Sequence, residues 1–124
     1  MMSIPSPQEL TDQYPQYNPE ELAQALGFQV TRTELGPALP GVKVLSEFRL
    51  QREIVLYAKE LRQAADRRDQ PLERVEQWHI AHELYHGLAE TRSVSAWRVH
   101  ETAADMWADE LMALQSGREA DAAC

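Results

Sequence analysis

Residues 78–86 read Trp-His-Ile-Ala-His-Glu-Leu-Tyr-His, and this stretch decides how the chain is interpreted. Its last five residues place His82 and His86 four positions apart, with Glu83 directly after the first histidine. Positions four apart lie one above the other on an α-helix, so both imidazoles can reach one metal ion. Glu83 projects about a quarter turn away, where it could take a proton from a metal-bound water as a general base. The pattern predicts a metal-binding helix, and Zn²⁺ is the expected ion because it accepts neutral imidazole readily.

A catalytic zinc site uses three protein ligands and a water, so a third ligand is expected elsewhere in the chain. Glu101 is the preferred candidate, because its separation from His86 leaves room for a loop and a return into a second helix packed against the first. Asp105 follows one helical turn later and could accept the second ring N–H of His82, which would fix the tautomer of that ligand. Two alternatives stay open. Asp105 could instead be a solvated acid on the helix surface, and His100 could replace Glu101 as the third ligand.

Three further side chains near this stretch each have two interpretations. His79 stands one turn before His82 and could touch the rim of the site or sit in the core, and a role other than ligand is expected for it. Tyr57 and Tyr85 could each donate a hydroxyl to the oxyanion of a transition state or contact a substrate. Either tyrosine could instead be a packing residue.

The rest of the chain predicts an α+β fold in which a small, mostly antiparallel three-stranded sheet packs against helices. Asn18, Pro19 and Glu21 have the pattern of a capped helix start, and Gly27 offers the left-handed conformation that commonly ends a helix. We expect strands at residues 28–31, 42–45 and 53–57. They are indicated by alternating apolar and polar side chains or by β-branched and aromatic residues. The last two strands would form an antiparallel hairpin.

Residues 58–70 are charged and weakly patterned, which predicts a loop with one helical turn. Two longer helices are expected to close the chain. They would run from Pro71, capped by Asp69 or Gln70, to Gly87, and from Ser93 or Ser95 to about Gln115.

A chain of 124 residues fits one domain. We expect an irregular lead-in over residues 1–17, where Ser6 could start one helical turn, a core domain over 18–116 and a flexible tail over 117–124.

Composition narrows the functional classes. No apolar stretch is long enough to span a bilayer, and residues 1–5 lack the basic start and apolar run of a secretory signal. A single cysteine, Cys124, excludes an internal disulfide and favours a cytoplasmic location. The net charge of −8 argues against direct binding to a nucleic-acid backbone. An acidic surface could favour a basic protein partner or could only keep the protein in solution.

Four segments, residues 21–30, 53–57, 78–86 and 101–112, resemble the ImmA/IrrE family of zinc metallopeptidases. The resemblance is carried by the helix and strand at residues 21–30 and by Glu101-Thr-Ala-Ala-Asp-Met-Trp-Ala-Asp-Glu-Leu-Met112, since the two-histidine pattern alone is common to many zinc peptidases. It implies a zincin-like fold, zinc held by His82, His86 and Glu101, and an endopeptidase that cleaves a helix-turn-helix repressor. The alternative is a metal-binding interaction module with weak or no catalysis.

This sequence departs from the family pattern at several positions: the usual proline after Leu111-Met112 is missing, and four departures lie in or near the predicted site. Tyr85 replaces a glycine between the two histidines, and His79 stands where threonine or serine is common. Ala103 replaces a second glutamate, which strengthens Glu101 as the ligand. Asp105 replaces an asparagine and gives a Glu-x-x-x-Asp spacing like that of thermolysin-type enzymes.

Overall fold

The computed structural model describes residues 4–34, 46–49, 52–89 and 97–123. Over these ranges the chain forms five helices and three strands and is an α+β protein. Their order is α1 Pro7–Gln13, α2 Pro19–Ala25, β1 Gln29–Thr33, β2 Ser46–Arg49, β3 Glu53–Tyr57, α3 Ala58–Arg68, α4 Leu72–Ala89 and α5 Trp97–Ala123. Within the described ranges, no helix is both long enough and apolar enough to cross a membrane.

The sheet is mixed, so the prediction of a mostly antiparallel sheet is wrong. β3 is central, in the order β1-β3-β2. β1 pairs with β3 in parallel, from Gln29↔Glu53 to Thr33↔Tyr57, and β2 pairs with β3 antiparallel, from Ser46↔Leu56 to Arg49↔Glu53. β1 and β2 are therefore the two edge strands, one on each side of β3. Side-chain alternation indicates which face of a strand is buried, but it does not indicate which strands are neighbours.

The antiparallel pairing of β2 with β3 agrees with the predicted hairpin. The predicted strand at 42–45 lies outside the described residues, and the observed β2 follows it directly. Arg52, just before β3, has a left-handed φ of 58°. Its guanidinium donates to the Leu26 carbonyl at 3.0 Å and lies 5.1 Å from the centre of the Phe28 ring, which ties this hairpin to the end of α2.

The predicted start and end of α2 are confirmed. The Asn18 side chain accepts the backbone N–H of Glu21 at 2.7 Å, and the Glu21 carboxylate accepts that of Asn18 at 3.0 Å. These reciprocal bonds satisfy two donors that a helix start otherwise leaves unpaired. Gly27 then has a φ of 91°, a conformation that other residues rarely adopt.

The N-terminal lead-in is more ordered than the sequence predicts. Ser6 caps α1 by accepting the Glu9 N–H at 3.1 Å, and the helix continues for two turns instead of one. Leu10 is 2% exposed within the core. The Trp107 indole N–H also donates to the Pro5 carbonyl at 3.1 Å, so this segment is anchored on α5.

Two other segments are helical where the sequence predicts otherwise. Residues 58–70 contain α3, whose buried face consists of Leu61, Ala64 and Ala65. The remaining residues of α3 are polar or charged, which hides the apolar period, although most of them favour helix. Asp69 ends α3 in a left-handed conformation instead of capping α4. α5 continues past Gly117 to Ala123, since one glycine weakens a helix without ending it.

Helix α4 occupies the centre of the molecule and contacts the sheet, α2, α3 and α5. All residues from 79 to 85 are buried, so this part of α4 has no solvent-facing side. Apolar residues of α4 and α5 with no exposed surface, Ile80, Leu84, Ala104, Ala108 and Leu111, form much of the core. The packing of α4 against α5 sets the geometry of the site described next.

Candidate metal centre

Helices α4 and α5 bring His82, His86 and Glu101 together. The two histidines lie one turn apart on α4, with ring centres separated by 4.9 Å. From α5, the Glu101 carboxylate reaches both: its Oε1 lies 2.7 Å from His86 Nε2, and its Oε2 lies 3.3 Å from His82 Nε2. One ligand atom from each residue lies within 4.8 Å of the others. This group could hold a metal ion.

Two imidazoles and one carboxylate are donors that zinc accepts, as do other transition metals. A tetrahedral zinc ion bound at about 2.1 Å separates its ligand atoms by about 3.4 Å. The Glu101 carboxylate oxygens lie 2.7 Å from His86 Nε2 and 3.3 Å from His82 Nε2, distances close to that value.

The centre is largely withdrawn from solvent on the α4 side. His82 is 7% exposed and Glu83 is 6% exposed. Side chains of Glu101 and Asp105 on α5 are 33% and 53% exposed, so the centre opens toward solvent along that helix. Buried ionisable groups destabilise a fold unless they are paired or hold a metal. Their concentration in the middle of α4 therefore points to a function that requires them.

Asp105 lies behind His82, on the opposite side of the ring from Glu101. Its Oδ1 is 2.9 Å from His82 Nδ1. The distance is that of a hydrogen bond, but the angles fall outside hydrogen-bond geometry, and Nδ1 has no other partner among the described residues. A modest ring rotation would align the pair. In that arrangement Asp105 holds the proton on Nδ1 and leaves Nε2 to face the metal position.

Trp78 supports His82 from the preceding turn of α4. The indole stacks on the His82 ring, with centres 5.4 Å apart and planes inclined by 28°. The indole N–H donates to the Asp109 carboxylate on α5 at 2.7 Å, which fixes the ring between the two helices. The four-residue spacing of Trp78 from His82 could have indicated this contact from the sequence.

Glu83 points away from α5 toward the sheet. The Ser46 hydroxyl at the start of β2 donates to Glu83 Oε2 at 2.6 Å. The same hydroxyl oxygen lies 3.1 Å from His79 Nδ1. Nothing in the sequence pattern singles out Ser46, because its contact joins a short strand to a helix far along the chain.

His79 is a buried neutral ring. Burial lowers its pKa to about 4, and electrostatic repulsion of the protonated ring by His82 and Arg68 acts in the same direction. Its Nε2 has no hydrogen-bond partner among the described residues, so its contact with Ser46 is made through Nδ1. His79 is buried close to His82 but is not one of the three residues that converge. Its position is therefore compatible with the predicted non-ligand role.

The other predicted residues are less close to the centre or lie outside the described parts. Tyr85 is 9% exposed and packs within the core, with its ring centre 6.0 Å from those of His86 and Trp107. Tyr57 is 4% exposed where β3 passes into α3. That Tyr57 or Tyr85 donates a hydroxyl to an oxyanion or contacts a substrate stays a prediction. The side chain of His100, the alternative third ligand, lies outside the described residues.

Comparison of the chain with protein-family models, with curated proteins and with solved structures gave no match.

Proposed function

We propose that this protein is a zinc-dependent endopeptidase that hydrolyses a peptide bond in a protein partner. The observation that carries this proposal is the convergence of His82, His86 and Glu101, with the buried Glu83 directly after the first of these histidines in α4. Two imidazoles and one carboxylate are a common ligand set of catalytic zinc. A carboxylate that follows the first histidine is the base expected for metal-assisted hydrolysis.

The chain's own residues supply the proton transfers. When bound, zinc would polarise the substrate carbonyl and make an attacking water more acidic. Glu83 takes a proton from that water and passes it to the leaving amide nitrogen, so the C–N bond breaks and the carboxylate is regenerated. A hydrogen bond from His82 Nδ1 to Asp105, which lies 2.9 Å away, would hold the ring proton on Nδ1 and leave Nε2 unprotonated.

A basic partner, such as a helix-turn-helix repressor, is the proposed substrate. The net charge of −8 supports this class, because opposite charges steer encounter between two proteins. The resemblance of residues 101–112 to the ImmA/IrrE pattern points to the same class. A cytoplasmic location, where such regulators act, belongs to the same proposal.

Metal content provides the first test. Purified protein should bind about one zinc per chain, and Glu101→Ala should weaken binding sharply because one of three protein ligands is lost. Glu110→Ala is the matched control, since it removes an exposed glutamate from the same helix. Equal zinc affinity in the two variants would refute Glu101 as a ligand.

Cleavage provides the second test. A helix-turn-helix regulator encoded next to this gene would supply the candidate substrate. The protein is incubated with such a regulator, and fragments are identified by mass spectrometry. Glu83→Gln should retain zinc but lose cleavage, because glutamine keeps the size of the side chain and removes the base. Equal cleavage by both forms would exclude the base role. Zinc and partner binding without cleavage by the wild type would instead indicate an interaction module.

A further inference from the structure

We propose that Ser46 is a positioning residue that holds the Glu83 carboxylate for proton transfer, and that His79 in turn holds the Ser46 hydroxyl. The inference rests on the proposed hydrolytic function and adds two residues to it. The three groups come from different turns and elements: Ser46 from β2, and His79 and Glu83 from consecutive turns of α4. They connect through one hydroxyl oxygen, at 2.6 Å from Glu83 Oε2 and 3.1 Å from His79 Nδ1.

The direction of each hydrogen bond follows from the donors available. An ionised carboxylate can only accept, so the single Ser46 proton goes to Glu83. The hydroxyl oxygen then accepts a proton from His79, which must carry it on Nδ1. His79 is neutral at pH 7 because burial lowers its pKa to about 4, so Nε2 carries no proton. An unprotonated Nε2 agrees with the lack of a partner for that atom among the described residues.

Glu83 needs such support because its side chain is long. The helix sets the direction of its Cα–Cβ bond, but three further torsions decide where the carboxylate lies. A general base must approach the proton it removes to within hydrogen-bond distance. The 2.6 Å contact is in the range of short, charge-assisted O–H···O⁻ bonds. The sheet thus restrains one carboxylate oxygen through Ser46.

The arrangement also explains a polar contact between the buried His79 and the half-buried Ser46 that packing alone does not require. His79 is 7% exposed, and leaving its ring without partners would be destabilising. Its contact with Ser46 satisfies one ring nitrogen and orients a hydroxyl that otherwise rotates freely. A role in fixing Glu83 accounts for both a histidine and a serine at these positions.

The first experiment measures the tautomer of His79 in zinc-free protein. Nitrogen-15 NMR distinguishes a protonated ring nitrogen from an unprotonated one. We expect the proton on Nδ1 in the wild type and a loss of that preference in Ser46→Ala. A proton on Nε2 in the wild type would overturn the proposal. This readout needs neither metal nor activity, so it separates failure of the contact from failure of the proposed function.

The second experiment measures turnover in four variants of Ser46 and His79. Ser46→Ala should lower kcat by about 10- to 100-fold, because small misplacements of a reacting group have effects of this size. KM and zinc content should stay unchanged, and Ser46→Thr should restore kcat because it keeps the hydroxyl. His79→Asn keeps an N–H near the Nδ1 position and should outperform His79→Leu.

Each outcome of the kinetic experiment decides the proposal. Wild-type kcat in Ser46→Ala would overturn the positioning role, as would equal losses in the alanine and threonine variants. A loss explained by reduced zinc content or by unfolding in thermal melts would assign the residue a structural role instead. Absence of any cleavage by the wild type would remove the proposed function, and the role of Ser46 in it, while the NMR result would still stand.

Discussion

The buried ring of His79 predicts a specific dependence of stability on pH. In the folded protein its pKa is lowered from 6.5 to about 4, first by burial and then by electrostatic repulsion from His82 and Arg68. The unfolded chain therefore binds a proton at this ring more readily than the folded protein does. The contribution of neutral His79 to stability is fully present above about pH 6.5 and is lost progressively as the pH falls toward 4.

The magnitude follows from the two pKa values. One pKa unit corresponds to about 1.4 kcal/mol. Near pH 5.5 the unfolded ring is mostly protonated and the folded ring is not, so His79 alone should lower the free energy of unfolding by about 1.4 kcal/mol relative to about pH 7.5. Near pH 4.5 the loss should reach about 2.5 kcal/mol.

The assay is urea denaturation of the zinc-free wild type and of zinc-free His79→Asn, each at pH 7.5 and at pH 5.5. Asparagine does not titrate, and it can still donate an N–H to Ser46. Titration of groups that do not interact with His79 affects both proteins equally, so it cancels in the difference between them. The wild type should lose about 1.4 kcal/mol more than the variant between pH 7.5 and 5.5. Equal losses in the two proteins would refute the buried, neutral state of His79.

Two further predictions concern the metal ligand and the N-terminal helix. Asp105→Ala should weaken zinc binding by about 10- to 100-fold because His82 loses the partner that orients its ring, whereas Glu110→Ala, measured by the same competition titration, should change little. Leu10→Ala should lower the free energy of unfolding by about 2–5 kcal/mol if α1 belongs to the core. Gln8→Ala on the exposed side of α1 should stay within about 0.5 kcal/mol of the wild type, and similar values for the two variants would contradict the packing of this helix.

Features that depend on a few neighbouring residues could be predicted from the sequence. The capping box of Asn18 and Glu21 and the left-handed Gly27 are interactions within one or two turns of chain. The alignment of His82 and His86 follows from helical geometry alone, since any α-helix places positions four apart on one side. The antiparallel pairing of β2 with β3 is similarly short in range.

The order of the sheet and the extent of the helices required the folded structure. β1 lies parallel to β3 on the edge opposite β2, and no local pattern specifies that choice. α3 buries only Leu61, Ala64 and Ala65, which is too sparse an apolar face to stand out from its charged neighbours. α1 is short enough that its stability depends on packing against α5.

The candidate centre combines both kinds of information. Residue type and spacing indicated Glu101 and Asp105 as partners of the two histidines, but only the packing of α5 on α4 brings their carboxylates within 2.7–3.3 Å of the rings. The contact of Ser46 with Glu83 was invisible in the sequence, because a single serine has no period and no motif. Local geometry therefore determined which histidines face together, whereas tertiary packing decided which distant side chains complete and orient the site.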